Sequence, residues 1–355
     1  MDTLTDDWIG RIADAARSGR PLAIRGGASK AFYGEPEQGE AFDVSAYRGI
    51  VAYEPTELVV TARAGTPLVE LAAALAEEGQ WLAFEPPHFG PAATVGGMLA
   101  AGLSGPRRQA VGAVRDFVLG VKVLNGLGEV LSFGGQVMKN VAGYDVARLM
   151  AGSLGTLGVV LEVSLKVLPL PVAEKSLRFA LDEATALARL NQWGGRPLPI
   201  SASAWHAGVL TLRLSGAAAA VAAAQRELAG EALGDAEGEA FWHSLREQRH
   251  SFFAGDAPLW RLSLPSATSA QALGSTLIEW GGAQRWLRGG DPMGIRGAAA
   301  KAGGHATLFR GDQALKSSVG VFQPLTPPLA RIHRRLKQAF DPQGVFNAGR
   351  MYPEF

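Results

Sequence analysis

The chain has 355 residues, of which 47% are hydrophobic and 19% charged, and this composition favours about two folded domains over disorder. Its 34 basic and 33 acidic residues give a formal net charge of +1, so no basic excess indicates nucleic acid or an anionic membrane as a partner. The absence of cysteine excludes disulfides, thiolate zinc sites and iron–sulfur clusters within the chain.

The first part of the chain alternates predicted helices and strands, which indicates α/β or α+β packing. Helical spacing predicts a helix over 5–17, and Thr66-Pro67 begins a second helix that ends at Gly79. Strands are predicted over 22–25, 50–53, 58–62 and 81–84. The N-terminal segment has no apolar stretch like that of a secretory signal, and no run reaches the length of a membrane span, so we expect a cytoplasmic protein.

Between residues 86 and 112 the periodicity disappears and glycine, proline and alanine dominate. A hairpin follows, with strands over 117–124 and 129–133 joined by a turn that contains Asn125-Gly126. A short helix over 144–150, a glycine loop over 152–158 and a strand over 159–168 come next. Pro169 and Pro171 mark a boundary, so we predict a first domain over residues 1–170.

Residues 171–325 are predicted to form a second, smaller domain. Three strand patterns are each followed by a helical pattern, over 182–193, 217–229 and 269–280. Such units build an α+β sandwich, with an antiparallel sheet covered by helices on one face. A helix over 328–340 and a turn-rich, aromatic end form a C-terminal segment, residues 326–355, which we expect to return to the first domain.

The segment RGGASK, residues 25–30, is typical of a loop that binds phosphate through backbone amides. It matches neither the P-loop pattern nor the G-x-G-x-x-G pattern, and by itself it could equally be a tight turn. Two further glycine segments, 94–97 and 152–158, could line the same ligand. Three such walls fit an extended dinucleotide better than a single phosphate.

Five segments together resemble the FAD-binding domain of the vanillyl-alcohol-oxidase type. They are RGGASK, PHFGPAATVGGMLAAGLSGPRR, GAVRDFVLGVKVLNGLGEVLSFGG, KNVAGYDVARLMAGSLGTLGVVLEVSLKVLP and FDPQGVFNAGR. Within that superfamily the chain is most similar to the FAD-binding accessory subunits of bacterial glycolate oxidase. The resemblance is strong over residues 20–170, clear over 335–352 and weaker between them. It implies a two-part FAD domain with a smaller α+β cap.

The resemblance implies which residues contact FAD. The pyrophosphate loop would comprise Arg25, Gly26, Gly27, Ala28 and Ser29, with Lys30 beside it. The flavin and ribityl chain would lie along Pro87, Thr94, Val95, Gly96, Gly97, Gly102, Gly105 and Gly112, with Asp116 nearby. Gly155, Val159 and Val160 would face the adenine side, and Asn347 would reach the isoalloxazine. Some relatives attach FAD through a histidine in the first loop. Because Ser29 or a neighbour stands there and cysteine is absent, we expect non-covalent FAD.

The catalytic residues are less clear from the sequence. Relatives that oxidise D-2-hydroxy acids carry a paired-histidine signature resembling H-x-G-D-G-N-x-H, and this chain has only the partial match around His305. No metal site is expected, since one imidazole is too few ligands. Arg213 and Arg261 could clamp a carboxylate, although solvated or ion-paired arginines are the simpler interpretation.

Three functions remain open at this point. The first is an FAD-holding subunit that assists or relays electrons in a glycolate oxidase complex. Its partners would be a catalytic flavin subunit and an iron–sulfur subunit, and these would bring it to the inner membrane. The second is an autonomous flavin oxidase or dehydrogenase for a small 2-hydroxy acid. The third is a structural subunit with a flavin-type fold and a decayed site.

Overall fold

The computed structural model describes residues 3–135 and 144–355, so the KNVAG part of the resembling motif lies outside the described residues. The chain divides into two compact units. The first contains the chain up to Leu103, then Ala113–Pro169 and Pro324–Phe355. The second contains Ser104–Gly112 and Leu170–Gln323.

The elements up to Pro169 are mostly short. They are α1 (Thr3–Ser18), β1 (Leu22–Arg25), β2 (Glu40–Asp43), β3 (Ile50–Glu54), β4 (Val59–Arg63), α2 (Leu68–Glu77), β5 (Gln80–Trp81), α3 (Val95–Ala101), α4 (Arg108–Val111), α5 (Val114–Phe117), β6 (Val118–Leu124), β7 (Val130–Gly134), α6 (Val146–Leu149), β8 (Val159–Lys166) and β9 (Leu168–Pro169).

The remaining elements alternate strands with longer helices. They are β10 (Ala173–Ala180), α7 (Glu183–Gly194), β11 (Ile200–His206), β12 (Val209–Gly216), α8 (Ala218–Leu228), β13 (Glu231–Ala232), α9 (Asp235–Arg246), β14 (Leu259–Ser263), β15 (Thr276–Glu279), β16 (Gln284–Arg288), α10 (Pro292–Lys301), β17 (His305–Arg310), α11 (Gln313–Val319) and α12 (Pro327–Phe340).

The first unit is built on a five-stranded sheet in the order β3-β4-β8-β6-β7, beside a parallel pair of β1 and β2. Helix α1 forms because Trp8, Ile12 and Ala15 recur at helical spacing and bury one face. That face packs on Phe42, Val159 and their buried neighbours in one hydrophobic core. The core therefore fixes the end of β1, from which the glycine loop begins.

The C-terminal segment, Pro324–Phe355, belongs to the first unit and pairs with β1. The backbone amide of Leu22 donates to the carbonyl of Val345 at 2.7 Å, and the amide of Asn347 donates back to the carbonyl of Leu22 at 2.9 Å. Phe346 is fully buried in the same core as α1. The last turn therefore acts as a second strand-like partner of β1, in addition to β2.

The second unit contains an eight-stranded sheet in the order β13-β10-β12-β11-β15-β16-β14-β17, antiparallel throughout. Helix α8 packs on Leu177 and Leu214, and α10 packs on Trp260 and Leu308. The predicted α+β sandwich is thus present in this unit.

The prediction of helices on one face only is wrong for α9. Trp242 on this helix donates its indole N–H to the hydroxyl of Ser176 at 2.9 Å. Ser176 precedes Leu177, which packs under α8, and successive residues of a strand point to opposite faces. Helix α9 therefore covers the face opposite α8.

Two further predictions need correction. Residues 276–279, expected at the end of a helix over 269–280, form β15, which pairs with β11 and β16 on its two sides. Gly274 has a φ of +92°, which interrupts the predicted helix. Residues 86–112 also contain regular structure: helix α3 begins at its N-cap Thr94, whose hydroxyl accepts from the Gly97 amide.

The structure also departs from the predicted continuous first domain over 1–170, because residues 104–112 belong to the second unit. Trp280 donates its indole N–H to the carbonyl of Gly105 at 3.0 Å, and Ser203 donates to Gln109 at 2.9 Å. Arg107 is buried and forms an ion pair with Glu174 at 2.5 Å. These side-chain contacts place the segment in the second unit, and they cannot be read from local sequence.

A buried ion pair anchors the C-terminal turn of the first unit. The ammonium of Lys337 donates to Asp341 at 2.6 Å and to the carbonyls of Thr156 and Phe346 at 2.8 and 2.7 Å. The Asp341 carboxylate also accepts from the backbone amides of Val345 and Phe346, each at 2.8 Å. The pair thus joins α12, the 152–158 loop and the last turn.

We expect Lys337→Met to lower the free energy of unfolding by about 3–5 kcal/mol, because it leaves the Asp341 carboxylate buried without its cation. Urea denaturation, followed by the tryptophan fluorescence of the first unit, measures the loss. Arg335→Met on the exposed side of the same helix is the matched control and should change stability by less than about 0.5 kcal/mol. Equal effects of the two substitutions would contradict this role of the pair.

Candidate functional site

A cleft in the first unit lies between the loop after β1, the start of α3 and the 152–158 loop. Two connected spaces share Ile24, Gly26, Thr94, Gly97 and Asn347 among their lining residues. The three glycine segments singled out from the sequence therefore meet around one elongated cleft.

One wall of the cleft presents a row of backbone donors. Within the part of the chain that the structure describes, the amides of Gly26, Gly27, Ala28 and Ser29 have no hydrogen-bond acceptor. Ala28 has a φ of +53°, in the left-handed region that lets successive amides turn toward a common anion. All four residues line the same cleft. Consecutive unsatisfied amides in a concave wall form an anion-binding surface.

The glycines of this wall also allow three loops to approach one another closely. A Cβ on Gly26 would lie 2.6 Å from the hydroxyl of Thr94, and one on Gly27 would lie 1.4 Å from the carbonyl of Ala92. A Cβ on Gly155 would lie 2.7 Å from the side-chain nitrogen of Asn347. Only glycine fits at these positions, so the cleft depends on them for its shape as well as for its donors.

The three backbone amides from Val95 to Gly97 are not available as donors to a ligand. The amide of Val95 donates to the carbonyl of Thr66 at 2.9 Å, and that of Gly96 donates to the carbonyl of Ala64 at 2.7 Å. The amide of Gly97 is satisfied by the Thr94 hydroxyl. Because these donors are already used, Gly96 and Gly97 line the cleft as small residues against which a ligand can lie closely.

Asn347 joins two walls of the cleft through its side-chain amide. Its oxygen accepts from the backbone amide of Ile24 at 2.7 Å, and its nitrogen donates to the carbonyl of Leu154 at 2.6 Å. The residue has a φ of +43°, which asparagine tolerates better than most residues. The predicted contact of Asn347 with the isoalloxazine is thus accompanied by a structural role that the sequence did not reveal.

Sequence reasoning also missed Arg350, whose guanidinium is buried at the edge of the cleft. It donates to the carbonyls of Ala31 and Tyr33 at 2.7 Å each and to that of Glu35. Burial lowers the pKa of Arg350, although an arginine stays charged at neutral pH. The arginine thus shapes the loop that follows the amide row and adds positive charge there. In the sequence, this role of Arg350 is indicated only by its position three residues after Asn347.

Two other charged residues flank the amide row. The ammonium of Lys30 lies 3.2 Å from the carbonyl of His88 and 5.7 Å from the centre of the Phe89 ring. Arg25 pairs with Glu37 at 2.7 Å. Lys30 therefore brings a cation to the amide row, whereas the charge of Arg25 is largely balanced by its acidic partner.

Several predicted cofactor contacts do not line this cleft. Val95 and Val159 are fully buried in packing contacts, Pro87 is buried, and Gly102 caps the end of α3 with a φ of 64°. The Asp116 carboxylate accepts from the amide of Ala113 at 2.8 Å and so caps α5. Gly105 and Gly112 belong to the second unit. Val160 and Gly155 do line the cleft.

The three catalytic candidates lie in the second unit and do not converge. Arg213 is on β12 and Arg261 on β14, with three strands between them, which separates the two strands by about 19 Å at the usual strand spacing. Arg213 is buried, donates to Ser201 at 3.2 Å and stacks on Trp242. His305 shares a sheet face with Arg261 on the neighbouring strand. The geometry does not support a carboxylate clamp by the two arginines.

Comparison with known proteins agrees with the fold. Residues 4–134 match the FAD binding domain family. The chain superposes on alkyldihydroxyacetonephosphate synthase with a TM-score of 0.65 at 14% identity, covering 96% of this chain and 75% of that one. It is 35% identical to the mitochondrial D-lactate dehydrogenase [cytochrome] of Arabidopsis thaliana over 38% of this chain and 24% of that protein. The chain is therefore an FAD-binding oxidoreductase of α+β fold.

A much longer match narrows this class. The chain is 50% identical to glycolate oxidase subunit GlcE of Escherichia coli K12, over 97% of this chain and 96% of that protein. It belongs to the family of glycolate oxidase subunit GlcE. None of its described helices is both long and apolar enough to cross a membrane.

We expect Gly27→Ala to lower the free energy of unfolding by about 2 kcal/mol, because the added carbon overlaps the carbonyl of Ala92 and forces two walls of the cleft apart. Thermal denaturation of the purified protein measures the change. Gly10→Ala on α1, where a Cβ meets nothing within 4 Å, is the control and should raise stability by about 0.5–1 kcal/mol. An unchanged midpoint for Gly27→Ala would disprove the close approach.

Proposed function

We propose that the chain is the subunit of a glycolate-oxidising complex that holds FAD non-covalently in the first-unit cleft. The observation that carries this proposal is the row of unsatisfied amides from Gly26 to Ser29 on the cleft wall. The FAD binding domain family covers this row, and the long match to a glycolate oxidase subunit supplies the substrate class.

The amide row suits the pyrophosphate of FAD. Hydrogen bonds from neutral donors to a charged group contribute roughly 1.5–3 kcal/mol each, so four amides can hold a diphosphate without a strong cation in direct contact. Lys30 adds positive charge at one end and Arg350 at the other edge of the loop. The more enclosed and more apolar space beyond Thr94, lined by Ala64, Gly97 and Val160, suits a ring system.

The cleft has few groups that could move a proton. Its described lining residues include no histidine, and its one carboxylate, Glu37, is paired with Arg25. When bound, FAD supplies the capacity to accept a hydride and to pass electrons on. The residues of this chain bind and orient the cofactor and exclude water from it. This division of roles supports an assisting or electron-relaying subunit.

The remaining chemistry then belongs to partner chains. Since the chain has no cysteine, iron–sulfur clusters require ligands from another subunit. We propose a catalytic flavin subunit and an iron–sulfur subunit as partners. In this arrangement the chain is cytoplasmic and reaches the inner membrane only through those partners.

The purified chain should show a flavin absorption spectrum, and acid precipitation should release the yellow colour into the supernatant, because no covalent bond holds the cofactor. Ala100→Phe, which fills the space shared by both parts of the cleft, should lower the FAD content at least tenfold while the circular dichroism spectrum stays native. Ala72→Phe on the exposed face of α2 is the matched control. A colourless wild-type protein would favour a structural subunit, and a yellow precipitate would contradict non-covalent binding.

Glycolate should not bleach the flavin of the isolated chain under anaerobic conditions, because its catalytic candidates do not converge. The bleaching should appear when the chain is purified together with its partner subunits from the native host. Stopped-flow absorbance follows both reactions. Rapid bleaching of the isolated chain would instead establish an autonomous oxidase or dehydrogenase.

A further inference from the structure

A second cavity lies entirely within the second unit, on the sheet face that α9 covers. It has a volume of about 450 Å³, and its polar lining comprises Arg178, His206, Thr211, His250 and Ser251. None of these residues belongs to the FAD cleft, and none was singled out as a site residue from the sequence. The cavity nevertheless gathers a guanidinium, two imidazoles and two hydroxyls.

Strand register explains why three of these side chains meet. Arg178 on β10 stands opposite Thr211 on β12, and Thr211 stands opposite Ala204 on β11. His206 follows Ala204 by two residues and so points to the same face. The sheet thus presents Arg178, Thr211 and His206 side by side, and the segment after α9 brings His250 over them, with ring centres of the two histidines 5.7 Å apart.

The hydrogen bonds of the two histidines select the tautomer that each ring takes in its neutral form. His206 Nδ1 lies 3.0 Å from the carbonyl of Thr276, which can only accept, so Nδ1 carries the proton and Nε2 is an acceptor. His250 Nδ1 accepts from the amide of Phe252 at 3.2 Å, so its Nε2 carries the proton and is a donor. Burial and the neighbouring His206 lower the pKa of His250, which keeps this ring neutral at pH 7.

Arg178 and Thr211 have hydrogen-bond donors that other residues of the chain do not use. Arg178 pairs with Glu237 through one terminal nitrogen at 2.7 Å. Within the described parts of the chain, its other guanidinium nitrogens and the hydroxyl of Thr211 have no partner, although Thr211 is only 2% exposed. The cavity lining contains no carboxylate. A bound anion would satisfy all of these donors.

We propose that this cavity is a binding site for a small 2-hydroxy carboxylate, separate from the FAD cleft. Arg178 and Thr211 hold the carboxylate, His250 Nε2 donates to an oxygen of the ligand, and His206 Nε2 accepts from its hydroxyl. An imidazole acceptor placed beside these donors suits the hydroxyl of a hydroxy acid, which a simple carboxylate such as acetate lacks. The apolar walls of Phe241 and Leu277 suit a short carbon chain. The site does not depend on FAD binding.

The test uses the full chain with ¹⁵N-labelled histidine and titrates it with glycolate at constant ionic strength. Ring resonances of His206 and His250, assigned through His206→Gln and His250→Gln, should shift together and saturate. Acetate, which lacks the hydroxyl, should bind about fivefold more weakly, as one lost hydrogen bond predicts. The shifts should persist in Ala100→Phe, so failure of the FAD assignment would leave this result intact.

Arg178→Met should weaken glycolate binding at least tenfold, because a charge-assisted contact is lost. Arg189→Met, on the exposed face of α7, is the matched control and should leave binding unchanged. Thr211→Val should weaken binding severalfold with the fold preserved. Unperturbed histidine resonances, equal binding of acetate and glycolate, tighter binding of inorganic phosphate, or full affinity in Arg178→Met would each overturn the proposal.

Discussion

The side-chain amide of Asn347 connects parts of the chain that are distant in sequence and adjacent in the cleft. It satisfies the amide of Ile24 at the end of β1 and the carbonyl of Leu154 in the third glycine loop. The Lys337–Asp341 pair holds the turn on which Asn347 sits, through the carbonyls of Thr156 and Phe346. The positions of the amide row and of its opposite wall therefore depend on one buried polar network, in which every member is satisfied.

The sequence predicts the parts of this protein whose signals are local. Residue spacing and capping indicate α1, α2, α7 and α8, and the glycine segments indicate the walls of the cleft. The structure departs from the predictions where long-range contacts determine the secondary structure of a segment or the unit to which it belongs. Residues 276–279 are a strand because β11 and β16 supply partners, and residues 104–112 join the second unit because Trp280 and Glu174 bind them.

The candidate site, like the fold, could be predicted from the sequence where its signals are local. The glycines at 26 and 27 already indicated a tight, anion-binding loop, and the three separate glycine segments predicted the three walls of the cleft. The roles of Asn347 and Arg350 were not visible, because a side chain that satisfies distant carbonyls carries no local pattern. Arg213 and Arg261 show how a local pattern can mislead. The two arginines lie on similar strands, which suggested a carboxylate clamp, but the strand order separates them.

The late position of Asn347 along the chain has a consequence for biosynthesis. A ribosome produces the amide row within the first tenth of the chain, but the residue that fixes it against the third loop emerges more than 300 residues later. During that interval the amide row and the 152–158 loop are not yet joined by the Asn347 side chain. Closure of the cleft around the amide row therefore requires a contact that spans almost the whole chain, between Ile24 and Asn347.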